Sequence, residues 1–232
     1  MVELTIVKYN SDLICRGGWM PISRTDLIEF NRGQDYSEED NFTSERYAQF
    51  LRHFPKNAQD VLDIGCNTGR GGQVLKLQNH GFRIVGLDCV PDRLERVPSN
   101  VFERTICGFA DEIPLESDSF DVIVAGEFIE HVPGGSVVAS LHEMFRLLRL
   151  KGRVLLTTPN PLYIKNRLRK LSVLSDDSHV SQHTPSSLKR KLEDASFSHI
   201  RVYGSGRLTR KVGEYLPILS AYGSYLAVAE KW

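Results

Sequence analysis

The sequence predicts an α/β fold, in which helices flank a Rossmann-like and mostly parallel sheet with an antiparallel strand at one edge. Short apolar runs alternate with segments of helical periodicity over much of the chain, and VLDIG, RIVGLD and FDVIVAG are the clearest of these runs. Such alternation favours parallel strands joined by crossover helices. Because ligands of these sheets bind at the carboxyl ends of the strands, polar residues there are the first candidates for a site.

The individual elements follow from the apolar pattern. Five runs predict the parallel strands, at residues 61–65, 83–88, 101–109, 120–126 and 153–158. Helical spacing predicts helices at residues 43–54, 71–80, 92–97 and 136–150. Pro55 and Gly81 end the first two helices, Pro91 precedes the third, and Gly152 is expected to stop the fourth.

The end of the chain departs from strict alternation. Residues 161–171 (PLYIKNRLRKL) are predicted to form a basic helical segment, and residues 176–183 a loop. Thr184 and Pro185 are the cap and first-turn proline of a helix over residues 186–195. Residues 198–204 and 224–230 alternate like strands with no long helix between them, which predicts antiparallel pairing at the sheet edge.

These elements divide the chain into an extension and a domain. Residues 1–40 are predicted to be an irregular N-terminal extension, with turns at Gly17-Gly18 and Asn31-Arg32-Gly33. Residues 41–232 form the main domain. The long excursion at about residues 161–183 is predicted to be a lid-like insertion, because long loops of this kind often cover active sites.

Composition limits the class of protein. The chain has 232 residues, 41% of them hydrophobic and 25% charged, with 29 basic and 29 acidic side chains, so no global field attracts nucleic acid. The sequence shows no apolar signal core and no segment of transmembrane length. Its four cysteines lack the spacing of metal ligands or redox pairs, which predicts a cytoplasmic protein.

The glycine-rich loop VLDIGCNTGRGG, residues 61–72, is the strongest motif. It follows a strand and precedes a helix, so its backbone can approach an anionic ligand closely. A structural glycine turn is the plain alternative. A dinucleotide-binding loop would read GxGxxG, and Gly65, Gly69 and Gly71 do not have that spacing.

The loop resembles the first motif of the class I S-adenosylmethionine-dependent methyltransferases, an acidic residue followed by GxGxG. Asn67 replaces the middle glycine, and Asn also adopts left-handed backbone geometry. The resemblance continues with Asp88 at the end of the second strand, which implies a bond to the ribose hydroxyls, and with Asp111, which implies a contact to the adenine amino group. Together it implies S-adenosylmethionine binding by Asp63, Gly65, Cys66, Asn67, Gly69, Asp88, Cys89, Asp111 and Glu127.

The stretch GEFIEHVPGG, residues 126–135, sets Glu127, Glu130 and His131 directly after the fourth strand. If a helix started there, side chains three and four residues apart would share a face. The three are then a solvated surface group or ion pair, a site in which His131 is a general base, or a divalent metal site. The residues alone leave these alternatives open.

The E-x-x-E-H run resembles the small-RNA 2′-O-methyltransferases and, in part, the ubiquinone-type O-methyltransferases. In the RNA enzymes both glutamates, the histidine and a more distant histidine bind magnesium. This resemblance implies catalytic roles for His131, Glu127 and Glu130. It also implies a magnesium or manganese site of Glu127, Glu130, His131 and His179, with His183 in reserve for the distant position and a plain loop histidine as the alternative for His179.

The sequence says less about the molecule that accepts the methyl group. Lys165, Arg167, Arg169 and Lys170 form either a solvated face or a surface that meets phosphate on a nucleotide sugar, a lipid-linked glycan or RNA. The H-x-x-x-x-T-P-x-x-L pattern at residues 179–188 resembles bacterial methyltransferases of sugars and other small molecules. We therefore predict an O-methyltransferase of a small-molecule or glycan acceptor. An RNA ribose O-methyltransferase and a catalytically inactive cofactor-binding protein are the alternatives; an N-methyltransferase signature of the Asn/Asp-Pro-Pro-aromatic type is lacking after the fourth strand.

Overall fold

The structure, a computed structural model, describes residues 6–9, 12–15, 18–19, 22–33, 42–176 and 178–232, with side chains from residue 22 onward. Three short strands form a small antiparallel sheet: β1 (Ile6–Tyr9), β2 (Asp12–Cys15) and β3 (Gly18–Trp19). The helix α1 (Arg24–Arg32) follows, and Ser23 caps it by accepting from the backbone N–H of Asp26.

The prediction of an irregular N-terminal segment is therefore wrong for the described part of residues 1–40. The predicted turn at Asn31-Arg32-Gly33 is the end of α1, where the backbone N–H of Gly33 bonds the carbonyl of Glu29. The other predicted turn involves Gly17, which lies outside the described residues. Tight turn sequences and helix ends use the same residue types, and this explains the misreading.

The main sheet has seven strands in the described chain: β4 (Asp60–Ile64), β5 (Arg83–Asp88), β6 (Arg104–Cys107), β7 (Phe120–Gly126), β8 (Leu148–Pro159), β9 (Ser198–Ser205) and β10 (Ser224–Glu230). Their order is β6-β5-β4-β7-β8-β10-β9. The first five pair in parallel, whereas β10 pairs antiparallel with both β8 and β9. This confirms the predicted fold class; the reversed strand is β10, and β9 takes the edge position.

Helices cover both faces of this sheet: α2 (Phe42–Leu51), α3 (Arg70–Gln78), α4 (Pro91–Leu94), α5 (Gly134–Leu147), α6 (Ile164–Leu168), α7 (Pro185–Asp194) and α8 (Thr209–Val212). Alternate residues of each central strand supply two separate cores. Ile123 and Ala125 of β7 pack with α5 and α7, while Val122 and Val124 pack with α2 and α3. None of the helices in the described chain is long and apolar enough to cross a membrane.

Several predicted boundaries are corrected by the structure. Helix α5 ends at Leu147 rather than near Gly152, because Leu148 already pairs with Phe120 as the first residue of β8. Gly152 lies beside an irregularity in that pairing, where a side chain would press on the carbonyl of Arg149. The third parallel strand is shortened to β6, and the basic segment at 161–171 is helical only over α6.

The helix after the glycine-rich loop packs closely on α2. A Cβ atom at Gly71 would overlap the ring of Tyr47, which is buried, donates a hydrogen bond to Asp63 and packs edge-on against Phe50. We expect Gly71→Ala to lower the free energy of unfolding by about 1–3 kcal/mol, because an overpacked core must shift. Urea unfolding measures this change. Gly135→Ala is the matched control, since open space surrounds this exposed helical position; an equal loss in both variants would contradict the packing argument.

Candidate active site

A cavity of about 1650 Å³ opens at the carboxyl ends of β4, β5, β6 and β7. Its walls include the loops that follow these strands, the helix α1, the start of α2, and the segment around Ser178 and His179. Single-ligand pockets usually measure about 300–1,000 Å³. The cavity therefore has room for a cofactor and an acceptor side by side.

The glycine-rich loop after β4 forms one wall. Gly65, Asn67 and Gly69 have positive φ angles of 71°, 51° and 83°. Asn67 thus adopts the left-handed geometry that its replacement of a glycine requires. At Gly65 a side chain would press against the ring of Phe128 at 3.0 Å, so this position also needs the absence of a Cβ. Gly69 lies at the start of α3 rather than on the cavity wall.

Asp88, at the end of β5, faces the cavity with its carboxylate fixed in place. The backbone N–H groups of Asn67 and Val90 donate to its two oxygens, each over 2.9 Å. Burial raises the pKa of this carboxyl group, and the hydrogen bond from Val90 and the charge of Arg93 oppose that effect. A carboxylate has about four acceptor positions, and the backbone N–H of Cys89 acts on this one as well, so about one position remains for a ligand hydroxyl.

Some of the other predicted cofactor residues lie on the cavity wall in the structure, and Asp63 does not. Cys66, Cys89 and Asp111 line the cavity with Asn67 and Asp88. Asp111 also approaches the guanidinium of Arg24 on α1 at 3.5 Å. Asp63 is fully buried behind the loop, where Tyr47 donates to Oδ1 over 2.5 Å, and burial raises its pKa to about 7. The direct cofactor contact predicted for Asp63 has no counterpart on the cavity wall.

The stretch after β7 does not start an α-helix. Glu127 has a positive φ of 50°, and Ile129–His131 form a single 3₁₀ turn before α5 begins at Gly134. The shared helical face expected for Glu127 and His131 is therefore absent. The turn instead directs Glu130 inward and His131 towards the segment that contains His179.

Glu130 is fully buried, and its carboxyl group is only half satisfied. Thr158 donates to Oε2 over 2.9 Å, while Oε1 has no hydrogen-bond partner among the described residues and lies 4.0 Å from Nε2 of His179. Burial and the neighbouring charge of Glu127 raise the pKa of Glu130 well above its usual value. A buried carboxyl group of this kind holds a proton or faces a cation.

Each of the two histidines has its Nδ1 atom beside a backbone carbonyl. Nδ1 of His131 lies 3.0 Å from the carbonyl of Ser178, and Nδ1 of His179 lies 2.7 Å from the carbonyl of Val173. A carbonyl only accepts, so in each neutral ring Nδ1 carries the proton and Nε2 the lone pair. Burial and the charge of His179 lower the pKa of His131 to about 4, which keeps its imidazole neutral at neutral pH.

Glu130, His131 and His179 bring three potential ligand atoms within 4.8 Å of one another. One carboxylate and two imidazoles suit a divalent transition metal. Oε1 of Glu130, which has no hydrogen-bond partner among the described residues, would bind such an ion as a ligand. These residues fit the implied metal. Glu127 is not one of the three: its Oε2 accepts from Ser224 at 3.4 Å, and its Oε1 lies 3.9 Å from Nε of Arg46.

His183, the reserve for the distant histidine, lies elsewhere. Its Nε2 is 2.9 Å from the hydroxyl of Ser181, its carbonyl accepts from Tyr225, and the ring is buried away from the cavity wall. Burial lowers its pKa to about 4. Of the two candidates, His179 is the one that the structure brings to Glu130 and His131.

Comparison with known proteins identifies the family. A methyltransferase domain family matches residues 38–202, most of the chain. The chain belongs to this family. It is a class I S-adenosylmethionine-dependent methyltransferase, as the resemblance of its glycine-rich loop predicts. The resemblance of the E-x-x-E-H run to particular O-methyltransferases stays a prediction.

Curated relatives of this methyltransferase match it only in part. A probable S-adenosylmethionine-dependent methyltransferase of Mycolicibacterium smegmatis is 34% identical over 103 residues, which are 44% of this chain and 38% of that protein. A malonyl-[acyl-carrier protein] O-methyltransferase of Laribacter hongkongensis is 25% identical over 144 residues, 57% of this chain and 47% of that protein. The chain thus spans less than half the length of either relative.

Solved structures share the fold of this methyltransferase. An S-adenosylmethionine-dependent methyltransferase from Archaeoglobus fulgidus has a TM-score of 0.64 at 20% identity, covering 81% of this chain and 92% of its own. A putative O-methyltransferase from Nostoc punctiforme has a TM-score of 0.66 at 17% identity, with 89% and 60% covered. A small RNA methyltransferase has a TM-score of 0.62 at 18% identity, covering 85% of this chain and 27% of its own.

A second, smaller pocket of about 280 Å³ adjoins the main cavity of the methyltransferase and shares Phe42, Arg46 and Glu127 with it. Its lining is polar and includes Glu45 and Ser224. Buried oxygens of both glutamates, Oε2 of Glu45 and Oε1 of Glu127, have no hydrogen-bond partner among the described residues. The pocket therefore offers acceptors to a ligand that carries hydroxyl or amino groups.

Sequence reasoning missed several residues of this site. Arg46 was not singled out, although it packs over Gly126 and approaches Glu127. Tyr47, which donates to Asp63, was covered only by the helix predicted at residues 43–54. Thr158 and Ser178 hold Glu130 and His131 by single hydrogen bonds. One signal was available for Thr158, since it lies at the carboxyl end of a predicted parallel strand, where site residues concentrate.

Proposed function

We propose that the protein is an O-methyltransferase that methylates a hydroxyl group of a sugar, a glycan or another small polyhydroxylated molecule. The observation that carries the proposal is the juxtaposition of Glu130, His131 and His179 at the wall of the cofactor cavity. An alcohol is a poor nucleophile at neutral pH, so its methylation needs a group that removes or weakens its proton. The cluster supplies such groups next to the predicted donor site.

The residues of the protein position the methyl donor and the acceptor, and one of them accepts the proton of the acceptor hydroxyl. S-adenosylmethionine supplies, when bound, a methyl group on a sulfonium centre that is already a good leaving group. Asp88 and the loop at Asn67 hold the donor side of the cavity, and the cluster holds the acceptor side. His131 is neutral because burial lowers its pKa to about 4, so its Nε2 can take the proton of an acceptor hydroxyl.

A divalent ion fits the same cluster. Glu130, His131 and His179 would hold it, and its chemistry would be to lower the pKa of a hydroxyl that it coordinates. Glu127 stands beside the three residues and, with Arg46 and Ser224, faces the polar side pocket. We assign Glu127 to the acceptor rather than to the ion, because its nearest described partners are Ser224 and Arg46.

The side pocket favours a polyhydroxylated acceptor over a simple catechol. The carboxylate oxygens Oε2 of Glu45 and Oε1 of Glu127 lack a hydrogen-bond partner among the described residues and can accept from a ligand. The hydroxyl oxygens of Ser205, Thr209 and Ser224 can also accept, because their own protons are already donated within the protein. A sugar ring carries donors on several neighbouring carbons. An RNA ribose end remains the second candidate, because it offers the same pair of neighbouring hydroxyls.

Methyl transfer to a panel of acceptors tests the proposal. The purified chain is incubated with methyl-labelled S-adenosylmethionine and, separately, with nucleotide sugars, free sugars, catechols and short RNAs, with and without magnesium or manganese. We expect labelled product from a sugar-bearing acceptor, with the methyl group on oxygen by mass fragmentation. Label on RNA alone, or on nitrogen, would overturn it.

We also infer that residues 161–183 act as a lid over the acceptor side. The segment is tied to the cluster through His179 and through the backbone N–H groups of Val180 and Ser181, which donate to the carbonyl of Glu130. We expect limited proteolysis to cut within residues 161–176 of the free protein and to slow when cofactor and acceptor are bound. Cutting at the same rate in both states would contradict the lid.

A further inference from the structure

Exposed apolar side chains concentrate on one part of the surface. In the described chain ten large hydrophobic residues are exposed, and seven of them belong to residues 162–171 and 212–218. The first segment contributes Leu162, Ile164, Leu168 and Leu171, and the second Val212, Tyr215 and Ile218. Single exposed leucines are ordinary, but a cluster of this kind marks a surface that contacts something apolar.

The two segments lie against each other. The side chain of Asn160, just before the first segment, donates to the carbonyls of Leu219 and Tyr222, just after the second. The ring of Tyr163 faces Gly223 at 3.7 Å from the position of a Cβ. We call residues 162–171 and 212–218 together the basic apolar surface, and its two segments adjoin through these contacts of their flanking residues.

The same surface is strongly basic. Lys165, Arg167, Arg169 and Lys170 are exposed on it, and Lys211 is exposed directly before its second segment. No ion pair identified among the described residues involves any of the five. Its acidic residue, Glu214, is buried and paired with Arg52 and His53. Since the whole chain has no net charge, these cations are a local feature rather than a reflection of composition.

We propose that the basic apolar surface docks on an anionic lipid bilayer. Basic residues interleaved with exposed leucine and isoleucine match a membrane interface, where cations meet phosphate headgroups and apolar side chains enter the acyl boundary. A nucleic acid would be met by the cations but gives no reason for exposed Leu162, Ile164 and Leu168. The charge pattern therefore favours lipid over RNA.

Docking would bring the acceptor side of the cavity to the membrane. Gly223, at the boundary of the surface, precedes Ser224, whose hydroxyl group donates to Glu127. Residues 161–171 are followed in the chain by the segment that contains His179. The acceptor hydroxyl would then belong to a lipid-anchored glycan or polyol. This consequence rests on the proposed function, whereas lipid binding by the surface does not.

Vesicle flotation of the full chain, without cofactor or acceptor, tests the docking. We expect binding to phosphatidylcholine vesicles that contain phosphatidylglycerol, weak binding to phosphatidylcholine alone, and loss at high salt. Leu168→Glu should lower binding about tenfold or more, because it removes an inserted side chain and adds a repelled charge. Leu77→Glu is the matched control: both leucines are helical, and they are 79% and 75% exposed.

A second pair of variants tests how much the basic residues contribute to vesicle binding. Lys165→Gln with Arg169→Gln should lower binding about tenfold or more, since each lysine or arginine near an anionic surface contributes about fivefold. Lys189→Gln with Arg190→Gln, exposed on α7, should change nothing. Absent binding to anionic vesicles, or equal loss in variant and control, would overturn the proposal. So would RNA binding that depends on Lys165 and Arg169 while vesicles stay unbound.

Discussion

Methyl transfer is expected to stop when divalent metal is removed by a chelator and to return on addition of magnesium or manganese. The reason is the arrangement of Glu130, His131 and His179, whose potential ligand atoms lie within 4.8 Å. Alanine at His131 or His179 should lower the rate about a hundredfold or more, the scale of a lost general base or ligand. Cofactor affinity, measured by calorimetry, should stay nearly unchanged because Asp88 and its loop are intact.

Two controls separate metal loss from damage to the fold. His142→Ala removes an exposed histidine on α5, outside the cavity, and should be silent. Glu130→Gln keeps an oxygen that accepts from Thr158 but removes the anionic ligand, so it should weaken metal binding and methyl transfer without unfolding the chain. An enzyme that ignores the chelator, and in which His179→Ala is silent, would contradict the metal site and leave His131 as a lone base.

The buried state of Glu130 adds a pH dependence to this result. Burial and the charge of Glu127 raise the pKa of Glu130, so without an ion its carboxyl group keeps a proton to a higher pH than an exposed glutamate does. A cation must displace that proton, and metal binding therefore strengthens as pH rises, by up to about tenfold per pH unit. Metal titrations at several pH values measure the slope, and Glu130→Gln should flatten it.

The architecture followed from sequence because its signals are local. Strand runs such as RIVGLD and caps such as Thr184 with Pro185 carry their own pattern, and the structure has β5 and α7 at those positions. The replacement of a glycine by Asn67 was readable for the same reason, since left-handed geometry depends on one residue. The boundary between α5 and β8 was not readable, because the apolar run at residues 147–150 fits a helix and a strand equally well.

The site was less predictable because its contacts are long-range. The choice of His179 over His183 depends on the path of a loop that the carbonyl of Glu130 fixes by accepting from Val180 and Ser181. The burial of Asp63 behind Tyr47 depends on how α2 packs over β4. The resemblance placed His179 ahead of His183, but nothing in the sequence indicated the burial of Asp63. Residue types therefore pointed to the chemistry, while the fold decided which residues meet.

Asp88→Ala is expected to weaken S-adenosylmethionine binding about tenfold or more. A charge-assisted hydrogen bond contributes on the order of 1.5–3 kcal/mol, and this carboxylate keeps acceptor capacity for a ribose hydroxyl beyond the backbone N–H groups that fix it. Calorimetry on the free enzyme measures the change. Neither form should bind NAD, because the loop lacks GxGxxG spacing.

Asp88→Ala also removes the hydrogen bonds that Asp88 accepts from the backbone N–H groups of Asn67 and Val90. A loss of cofactor affinity in this variant could therefore come from the lost ribose contact or from a less ordered loop. Asn67→Gly restores the usual glycine at a left-handed position and keeps Asp88, and it should leave affinity within a few-fold of the parent. Asp92→Ala removes a neighbouring exposed carboxylate that pairs with Arg32 and should also be silent. If Asp88→Ala binds S-adenosylmethionine as tightly as the parent while its thermal unfolding is unchanged, Asp88 does not hold the ribose. A loss confined to Asp88→Ala would place the cofactor's hydroxyls at the end of β5, directly beside the loop that begins at Gly65.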